Sequence, residues 1–306
     1  MKQIVVIGGS NRDISARAQD EMGTVSDSHR GVMFESHGGV GRNIAEALGR
    51  LGAPVTLLSS FGDDAFSQEM RGALIDLDVD ILPSLVTSSM RADSYLAVLD
   101  YRGEMVTSIN QMKLISLITT QVIADRADMI CEADIVVCDC NLPADTIEAI
   151  ARLPRQGIFI VDGVSGTKVL KIQDILKHID VLKLAFREAI TLTGLADVTP
   201  ARSVMQTLYK MGIKQTLLSL GGDGFMINHK ADIHHFTALE EAPLATSGAG
   251  DCLLAGYVFG LAHDMPLALA SQYGRMSAYL SCKSLSAVND DISVENIEHL
   301  IAEDTK

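Results

Sequence analysis

The sequence predicts an α/β fold of three layers, in which a central and mostly parallel β-sheet is flanked by helices on both faces. From residue 116 onward, helical and strand-like patterns alternate, and such βαβ repetition is typical of a parallel sheet. Two glycine-rich turns, at 37–43 and 245–251, each lead into a helical pattern. Alternating runs at 94–99 and 104–109, joined by Tyr101-Arg102-Gly103, predict an additional hairpin.

Composition limits the partners that the chain is expected to have. With 306 residues, 47% of them hydrophobic, the chain can bury a substantial core. A net charge of −14 disfavours nucleic acid or an anionic membrane as the main partner. Five cysteines, an odd number, and an N-terminus without a signal-peptide pattern favour a reduced, cytoplasmic protein. The histidines show no metal-ligand spacing, so no structural zinc is expected.

The first predicted strand, residues 2–7, ends at Gly8-Gly9 and is followed by a polar stretch. Ligands of open α/β sheets bind beyond the carboxyl ends of strands, so Asn11 and Asp13 are placed to hydrogen-bond a polyhydroxylated ligand. A polar surface turn is the alternative interpretation of these residues.

The second segment, residues 37–52, predicts a glycine turn followed by a helix. Its glycines, among them Gly38 and Gly39, allow the backbone to approach a ligand at the helix start. The spacing is too irregular for a dinucleotide fingerprint and lacks the Walker lysine. Next come a predicted strand at 54–61 and a helix at 65–77.

The remaining predicted elements place several turns at one edge of the sheet. Asn141 and the segment 162–165 lie in strand-to-helix turns, and Gly221, Gly222 and Gly224 follow a β-rich run at 213–220. The predicted elements are helices at 116–130, 144–153, 169–177 and 262–281, and strands at 134–140, 157–162, 180–184, 213–220 and 225–228.

The segment 245–256 carries the clearest chemistry. Gly248, Ala249 and Gly250 have almost no side chain, so their N–H groups can approach an anion to which the following helix also presents its positive end. The carboxylate of Asp251 would repel such an anion, so its presence needs a reason. One reason is that it accepts the proton of a substrate hydroxyl during phosphoryl transfer. Two alternatives are an ordinary helix cap by Thr246 or Ser247 and a membrane span over 243–262, against which the glycines and the aspartate argue.

These segments resemble the ribokinase-like, phosphofructokinase-B type family of sugar and nucleoside kinases. Residues 246–251 match its C-terminal signature, Asp-Thr-x-Gly-Ala-Gly-Asp, except that Ala245 replaces the first aspartate. The Gly-Gly turn and Asn43 match its N-terminal signature. The family's Asn-x-x-Glu is broken, because Ala185 replaces the asparagine while Glu188 remains. Short matches at 39–46, 139–143 and 162–165 are most similar to the pseudouridine kinase branch.

The resemblance implies an ATP-dependent kinase for a primary hydroxyl of a ribose-containing small molecule, with pseudouridine as the best single substrate. It implies one domain over 1–306 with lid strands from about 11–36 and 92–112, and a homodimer. It also implies ATP and Mg²⁺ as cofactors, whereas Ala245 in place of the aspartate leaves undecided whether a monovalent cation binds. The implied residues are Asp251, Gly248, Ala249 and Gly250 for catalysis; Asn11, Asp13, Gly38, Gly39, Asn43 and Asn141 for the substrate; Ser219, Gly221, Gly222, Gly224, Thr246, Gly248 and Gly250 for the nucleotide; and Glu188 for the metal.

Two alternatives remain at this stage. One is a kinase for another nucleoside or for a free sugar such as ribose. The other is a catalytically weak sugar- or nucleoside-binding sensor, suggested by Ala185 and Ala245.

Overall fold

The computed structural model describes residues 1–23 and 27–304, so positions 24–26 of the predicted 11–36 lid segment and the last two residues lie outside it. Its strands, in chain order, are β1 Ile4–Ile7, β2 Asn11–Ala18, β3 Gly31–Gly38, β4 Val55–Leu58, β5 Ser60–Phe61, β6 Leu85–Val86, β7 Ser94–Leu99, β8 Met105–Gln111, β9 Ile135–Asp139, β10 Ile158–Asp162, β11 Val181–Ala185, β12 Gln215–Ser219, β13 Phe225–His229 and β14 Asp232–Phe236. Its α-helices are α1 Val40–Arg50, α2 Ala65–Ile75, α3 Thr120–Ala124, α4 Ala127–Glu132, α5 Ala144–Arg152, α6 Phe186–Thr193, α7 Ala201–Lys210, α8 Ala249–Ala262, α9 Leu267–Ser281 and α10 Val294–Asp304.

The main sheet has eight strands in the order β14-β13-β12-β11-β10-β9-β1-β4. The strands from β12 to β4 pair in parallel, whereas β13 and β14 are antiparallel additions at one end. The carboxyl ends of β1, β9, β10, β11 and β12 therefore meet at one edge. β1 lies between β4 and β9, so the strand order reverses there, and such a switch point opens a crevice for ligands.

The helices cover both faces of this sheet, as the sequence predicts. Alternate residues of β1 point to opposite faces: Ile4 and Val6 belong to one apolar cluster, and Val5 and Ile7 to the other. The first cluster includes residues of α1, α2, α8, α9 and α10, and the second includes residues of α3 to α7. The result is the predicted arrangement of helix, sheet and helix.

A second, smaller sheet has the strand order β3-β2-β7-β8. The predicted hairpin is confirmed, since β7 and β8 pair antiparallel, while β2 and β7 pair in parallel. The edge strands β3 and β8 carry apolar side chains that are exposed, namely Val32, Met33, Phe34, Met105, Val106 and Ile109. This sheet therefore differs from the main one, whose central strands are buried.

Three predicted helices differ from the structure. The helix predicted at 116–130 is wrong as one element: a 3₁₀ turn at Leu114–Leu117 precedes α3, which Thr119 caps, and Arg126 at φ −120° separates α3 from α4. The segment Val169–His178 is a 3₁₀ helix. The helix predicted at 262–281 begins only at Leu267, because the chain turns at Asp264, with φ 54°, and Pro266 then opens α9.

No helix within residues 1–23 and 27–304 is both long and apolar enough to cross a membrane. The stretch 243–262 contains α8, which has 14 residues.

Candidate active site

The turn that leads into α1 is packed directly against the end of β1. A Cβ atom on Gly41 would lie 2.7 Å from the Cα of Gly8, so both positions require glycine for this close approach. Gly39 has φ 99°, a conformation that favours glycine. The glycines predicted from sequence thus bring backbone to within contact distance of the neighbouring turn.

A buried carboxylate holds this turn in place. Asp139, at the end of β9, accepts hydrogen bonds from the N–H groups of Gly9 (2.8 Å), Gly41 (2.9 Å) and Asn141 (2.7 Å). Burial raises its pKa, and these N–H donors oppose the rise. The carboxylate joins the turns after β1 and β9 to the start of α1.

Arg42 orients Asn43 toward Asp251. The guanidinium of Arg42, 1% exposed, donates to the carbonyl oxygens of Gly38 and His37, each at 2.9 Å, and also bonds Glu46 and Asn43 Oδ1. Since guanidinium groups only donate, the amide oxygen of Asn43 must face Arg42. Asn43 Nδ2 then donates to Asp251 Oδ2 at 2.7 Å.

The predicted substrate residues of β2 lie beside this turn. Asn11 Nδ2 donates to Asp13 Oδ1 at 2.5 Å, and a Cβ on Gly38 would overlap the Asp13 carboxylate. Burial raises the pKa of Asp13, with the Asn11 hydrogen bond and the Arg42 charge acting against it. On the other side, Asn141 Oδ1 accepts from Lys168 Nζ at 2.6 Å.

The start of α8 is different, because its N–H groups remain open. Gly248, with φ 78°, is the N-cap residue and provides no side chain to cap the helix. The N–H groups of Gly248, Gly250 and Asp251 donate to no group in the described parts of the chain. Such a helix start attracts an anion, since it combines free donors with the positive end of the helix dipole.

Asp251 lies at the junction of the two turns. The residue is 8% exposed, and its carboxylate accepts the Asn43 hydrogen bond. Burial raises the pKa of Asp251 to about 7, the Lys183 charge lowers it, and Asp162 raises it further. A carboxyl group with a pKa near neutrality is suited to act as a general base.

A lysine buried in the sheet faces this carboxylate. Lys183 Nζ lies 2.9 Å from Asp162 Oδ2 in an ion pair that is not aligned as a hydrogen bond. Burial lowers the pKa of Lys183, but the carboxylates of Asp162, Asp251 and Glu188 outweigh that effect and raise it overall. The ammonium therefore stays charged.

A cavity of about 480 Å³ lies beside the α8 turn. It joins residues from both nucleotide turns that the sequence singles out: Ser219, Gly221, Gly222, Gly224, Thr246, Ala249 and Gly250. Its remaining wall includes Phe225, Leu253 and Tyr279, so part of the wall is apolar. The segment 286–289 is not part of this wall. Its Ala287 packs instead against Gly248.

Glu188 is held close to the same cluster. Its Oε2 accepts the Ala185 N–H at 2.8 Å, while Oε1 accepts no hydrogen bond from the described residues. Burial raises its pKa, and the Lys183 charge opposes the rise. In residues 1–23 and 27–304, no group of three or more His, Cys, Asp or Glu side chains could hold a metal ion by itself. One carboxylate still fits Mg²⁺, which usually keeps several waters and binds one or two carboxylates together with substrate phosphates.

Comparison with known proteins identifies the family. A model of the "pfkB family carbohydrate kinase" matches residues 1–293. The chain belongs to this family. The kinase is 31% identical to the pseudouridine kinase of Escherichia coli (strain K12), over 97% of this chain and 96% of that one. A carbohydrate kinase from Agrobacterium tumefaciens superposes with a TM-score of 0.83 at 27% identity, covering 99% of this chain and 97% of the other. The ribokinase of Arabidopsis thaliana complexed with ribose and ATP shares the fold, with a TM-score of 0.84 at 18% identity and 98% coverage of both chains.

Sequence reasoning did not single out three charged residues that the structure places in the candidate site: Arg42, Asp139 and Lys183. Lys183 had a detectable signal, because a lysine inside the apolar run of a central parallel strand must be buried and needs a partner. Asp139 had a similar signal, because it is a charged residue at the end of an apolar, buried strand. The role of Arg42 depends on the backbone path around Gly38 and carried no signal.

Proposed function

We propose that the kinase transfers the γ-phosphoryl group of ATP to the primary 5′ hydroxyl of a ribose-containing small molecule, with pseudouridine as the preferred substrate. The observation that carries this proposal is the position of Asp251. Its buried carboxylate is hydrogen-bonded to Asn43 of the α1 turn and stands at the open N-terminus of α8. Base and anion-binding donors are therefore adjacent.

In the proposed reaction, the substrate hydroxyl oxygen attacks the γ-phosphorus and its proton passes to Asp251. The bond between the γ-phosphorus and the bridging oxygen breaks, and ADP leaves with that electron pair. The open N–H groups of Gly248 and Gly250 stabilise the charge on the transferring group. The N–H of Ala249, which the family resemblance also implies for this role, donates to the Thr246 carbonyl oxygen at 3.4 Å. Products are ADP and a phosphate monoester.

We assign the sugar to the side of Asp251 that faces β2. Asp13 is buried, Asn43 has a second amide hydrogen to donate, and Gly38 and Gly39 present backbone at close range. Asn11 holds Asp13. The proposed substrate site consists of Asn11, Asp13, Gly38, Gly39, Asn43 and Asn141.

We assign the nucleotide to the 480 Å³ cavity on the other side. The apolar part of its wall suits a base, and the open α8 turn suits phosphates. A relative with the same fold is described as complexed with ATP. The proposed contacts are Ser219, Gly221, Gly222, Gly224, Thr246, Gly248 and Gly250.

Magnesium would be held by the nucleotide phosphates and by Glu188, through water. When bound, the ion neutralises phosphate charge. Ala245 has no carboxylate with which to bind a monovalent cation, so we propose that turnover does not require one.

Pseudouridine is favoured over a free sugar by two observations. The kinase is 31% identical to a pseudouridine kinase along nearly its full length. At the edge of the substrate site, the Lys168 ammonium and the Asn141 amide form a pair of donors that match the carbonyl oxygens of a pyrimidine base. A free ribose lacks the base carbonyl oxygens that this pair would bind.

The small sheet is proposed to be the lid of one kinase domain that spans 1–306, with lid strands from 11–36 and 92–112. Its exposed apolar edges, including Phe34 and Ile109, are the surface through which we propose that two copies pair in a cytoplasmic homodimer.

A coupled assay of ADP release tests the proposed function. Pseudouridine, uridine, adenosine and ribose are compared as substrates, with the parent protein and Asp251→Asn as its matched inactive control. The highest kcat/KM is expected for pseudouridine. A higher value for another nucleoside or for ribose would correct the substrate, and no release with any substrate would favour a sensor.

A further inference from the structure

A cluster of four buried charges lies beneath the start of α8. Lys183 projects from β11, Asp162 from β10, Glu188 from α6 and Asp251 from α8 itself. The Lys183 side chain is 8% exposed and that of Asp162 is fully buried. Burying an ammonium is unfavourable unless it is paired, so this lysine depends on the carboxylates around it.

The ammonium approaches the α8 turn from the sheet side. A Cβ atom on Gly250 would lie 2.6 Å from Lys183 Nζ, so the glycine leaves room for the ammonium directly against the helix start. Lys183 is not among the described residues that line the nucleotide cavity. Its neighbours in the site are the α8 turn, through Gly250, and the carboxylate of Asp251.

Asp251 is surrounded by charge of mostly one sign. Asp162, Asp139 and Glu188 face it or its lysine from β10, β9 and α6, and on α1 the Arg42–Glu46 pair is neutral as a unit. Lys183 is the cation that compensates these carboxylates. Without it, Asp251 would stand in a buried, uncompensated negative cluster.

We propose that Lys183 is a positioning residue for phosphoryl transfer: its ammonium keeps Asp251 ionised, and so able to accept the hydroxyl proton. The proposal rests on the proposed function. In the transfer step, the substrate oxygen bonds to the γ-phosphorus, the bond to ADP breaks, and the proton moves to the carboxylate that Lys183 has kept free of it. The proton then leaves to solvent with the products.

The signs of the charges around Asp251 predict a specific pH dependence of kcat/KM. Burial raises the pKa of Asp251 to about 7, the Lys183 charge opposes that rise, and Asp162 adds to it. Removing Lys183 should move the acid limb of the kcat/KM profile to higher pH. Removing the charge of Asp162 should move the limb to lower pH.

The experiment compares pH profiles of kcat/KM for three variants and the parent. Lys183→Met should lower kcat/KM at pH 7 about fivefold, with most of the loss recovered at pH 9, because raising a pKa of about 7 by about one unit lowers the ionised fraction at pH 7 from about one half to about one tenth. Asp162→Asn should shift the limb in the opposite direction. The matched control is Lys214→Met, which removes the lysine of an exposed pair with Asp180. Its profile should equal that of the parent.

Three results would overturn the proposal. They are an equal loss for Lys183→Met at every pH, an unchanged profile, and an Asp162→Asn limb that does not move to lower pH. Circular dichroism and nucleotide titration establish that each variant is folded. If Lys183→Met does not fold, the Asp162→Asn profile decides. Absence of turnover in the parent would instead refute the proposed function, so the two failures are distinguishable.

Discussion

The two glycine turns that start α1 and α8 look alike in sequence but differ in how their backbone donors are used. At α1, the N–H groups of Gly41, Arg42 and Asn43 bond Asp139, Gly9 and Gly39. At α8, the N–H of Cys252 bonds Gly248 as that of Asn43 bonds Gly39, but the N–H groups of Gly250 and Asp251, which correspond to those of Gly41 and Arg42, have no partner in the described parts of the chain. One helix start is filled by the protein's own carboxylate, and the other is left open.

This difference explains why the two turns serve different ligands. A helix start whose Gly41 and Arg42 N–H groups are already bonded offers fewer donors to an anion, but it holds the neighbouring Asn43 in one orientation. An open helix start can bind a phosphate. The hydrogen bond from Asn43 to Asp251 links the two turns.

The largest effect is expected for Asp251→Asn. Turnover should fall by roughly 10²- to 10⁴-fold, the range for loss of a positioned general base. Nucleotide affinity, measured by titration calorimetry, should stay close to that of the parent, because the amide is nearly the same size. Turnover within a few-fold of the parent would contradict the catalytic role.

Asn43→Ala should have the next largest effect. It removes a hydrogen bond to a charged group, which contributes about 1.5–3 kcal/mol, so kcat/KM for the sugar substrate should fall by about 10- to 100-fold. The nucleotide dissociation constant should barely change. Asn296→Ala, which removes an exposed amide bonded to Asp291, is the control and should behave as the parent does. A selective loss of nucleotide affinity would show that the α1 turn serves the other ligand.

Asp139→Asn removes part of the hydrogen bonding that occupies the N–H groups of the α1 turn. An amide has one acceptor oxygen and directs its NH₂ group at an N–H donor, so the free energy of unfolding should fall by about 1–3 kcal/mol. The KM for the sugar substrate should rise about tenfold, while nucleotide affinity is retained. Asp134→Asn, an exposed carboxylate that accepts one N–H, is the control. Equal loss of both affinities would argue against a turn-specific role.

Gly250→Ala places a methyl group in the open turn and should give the smallest effect. The methyl group displaces the Lys183 ammonium at a cost of about 1 kcal/mol, so kcat should fall roughly fivefold. Gly72→Ala in α2 is the matched control, since a Cβ there meets no atom within 4 Å. Its activity should be unchanged and its stability slightly higher. Equal activity of the two variants would remove the argument for a lysine against the turn.

The fold could be predicted largely from the sequence, because the β-branched runs and helical periodicities are local signals. The three-layer arrangement and the β7–β8 hairpin followed from them. The segment 116–130 did not, since an apolar periodicity continues across the break at Arg126, which only backbone geometry reveals.

The site could be predicted only in part. Both turns were recognisable, but the difference between them depends on Asp139, which is 98 residues from its partner Gly41. Lys183 and Asp162 likewise come together through the pairing of β10 with β11. Contacts between segments that are far apart in the chain produce no recognisable residue spacing. The sequence alone therefore does not distinguish the filled turn from the open turn.

A titration followed by backbone amide NMR tests the central claim most directly. A non-hydrolysable ATP analogue is added to ¹⁵N-labelled kinase, and the amide signals of the two turns are compared. The amides of Gly248, Gly250 and Asp251 should shift strongly, while those of Gly41 and Asn43, which already donate within the protein, should move little. Strong shifts at Gly41 and Asn43 with none at Gly250 would contradict the assignment of the open turn to phosphate.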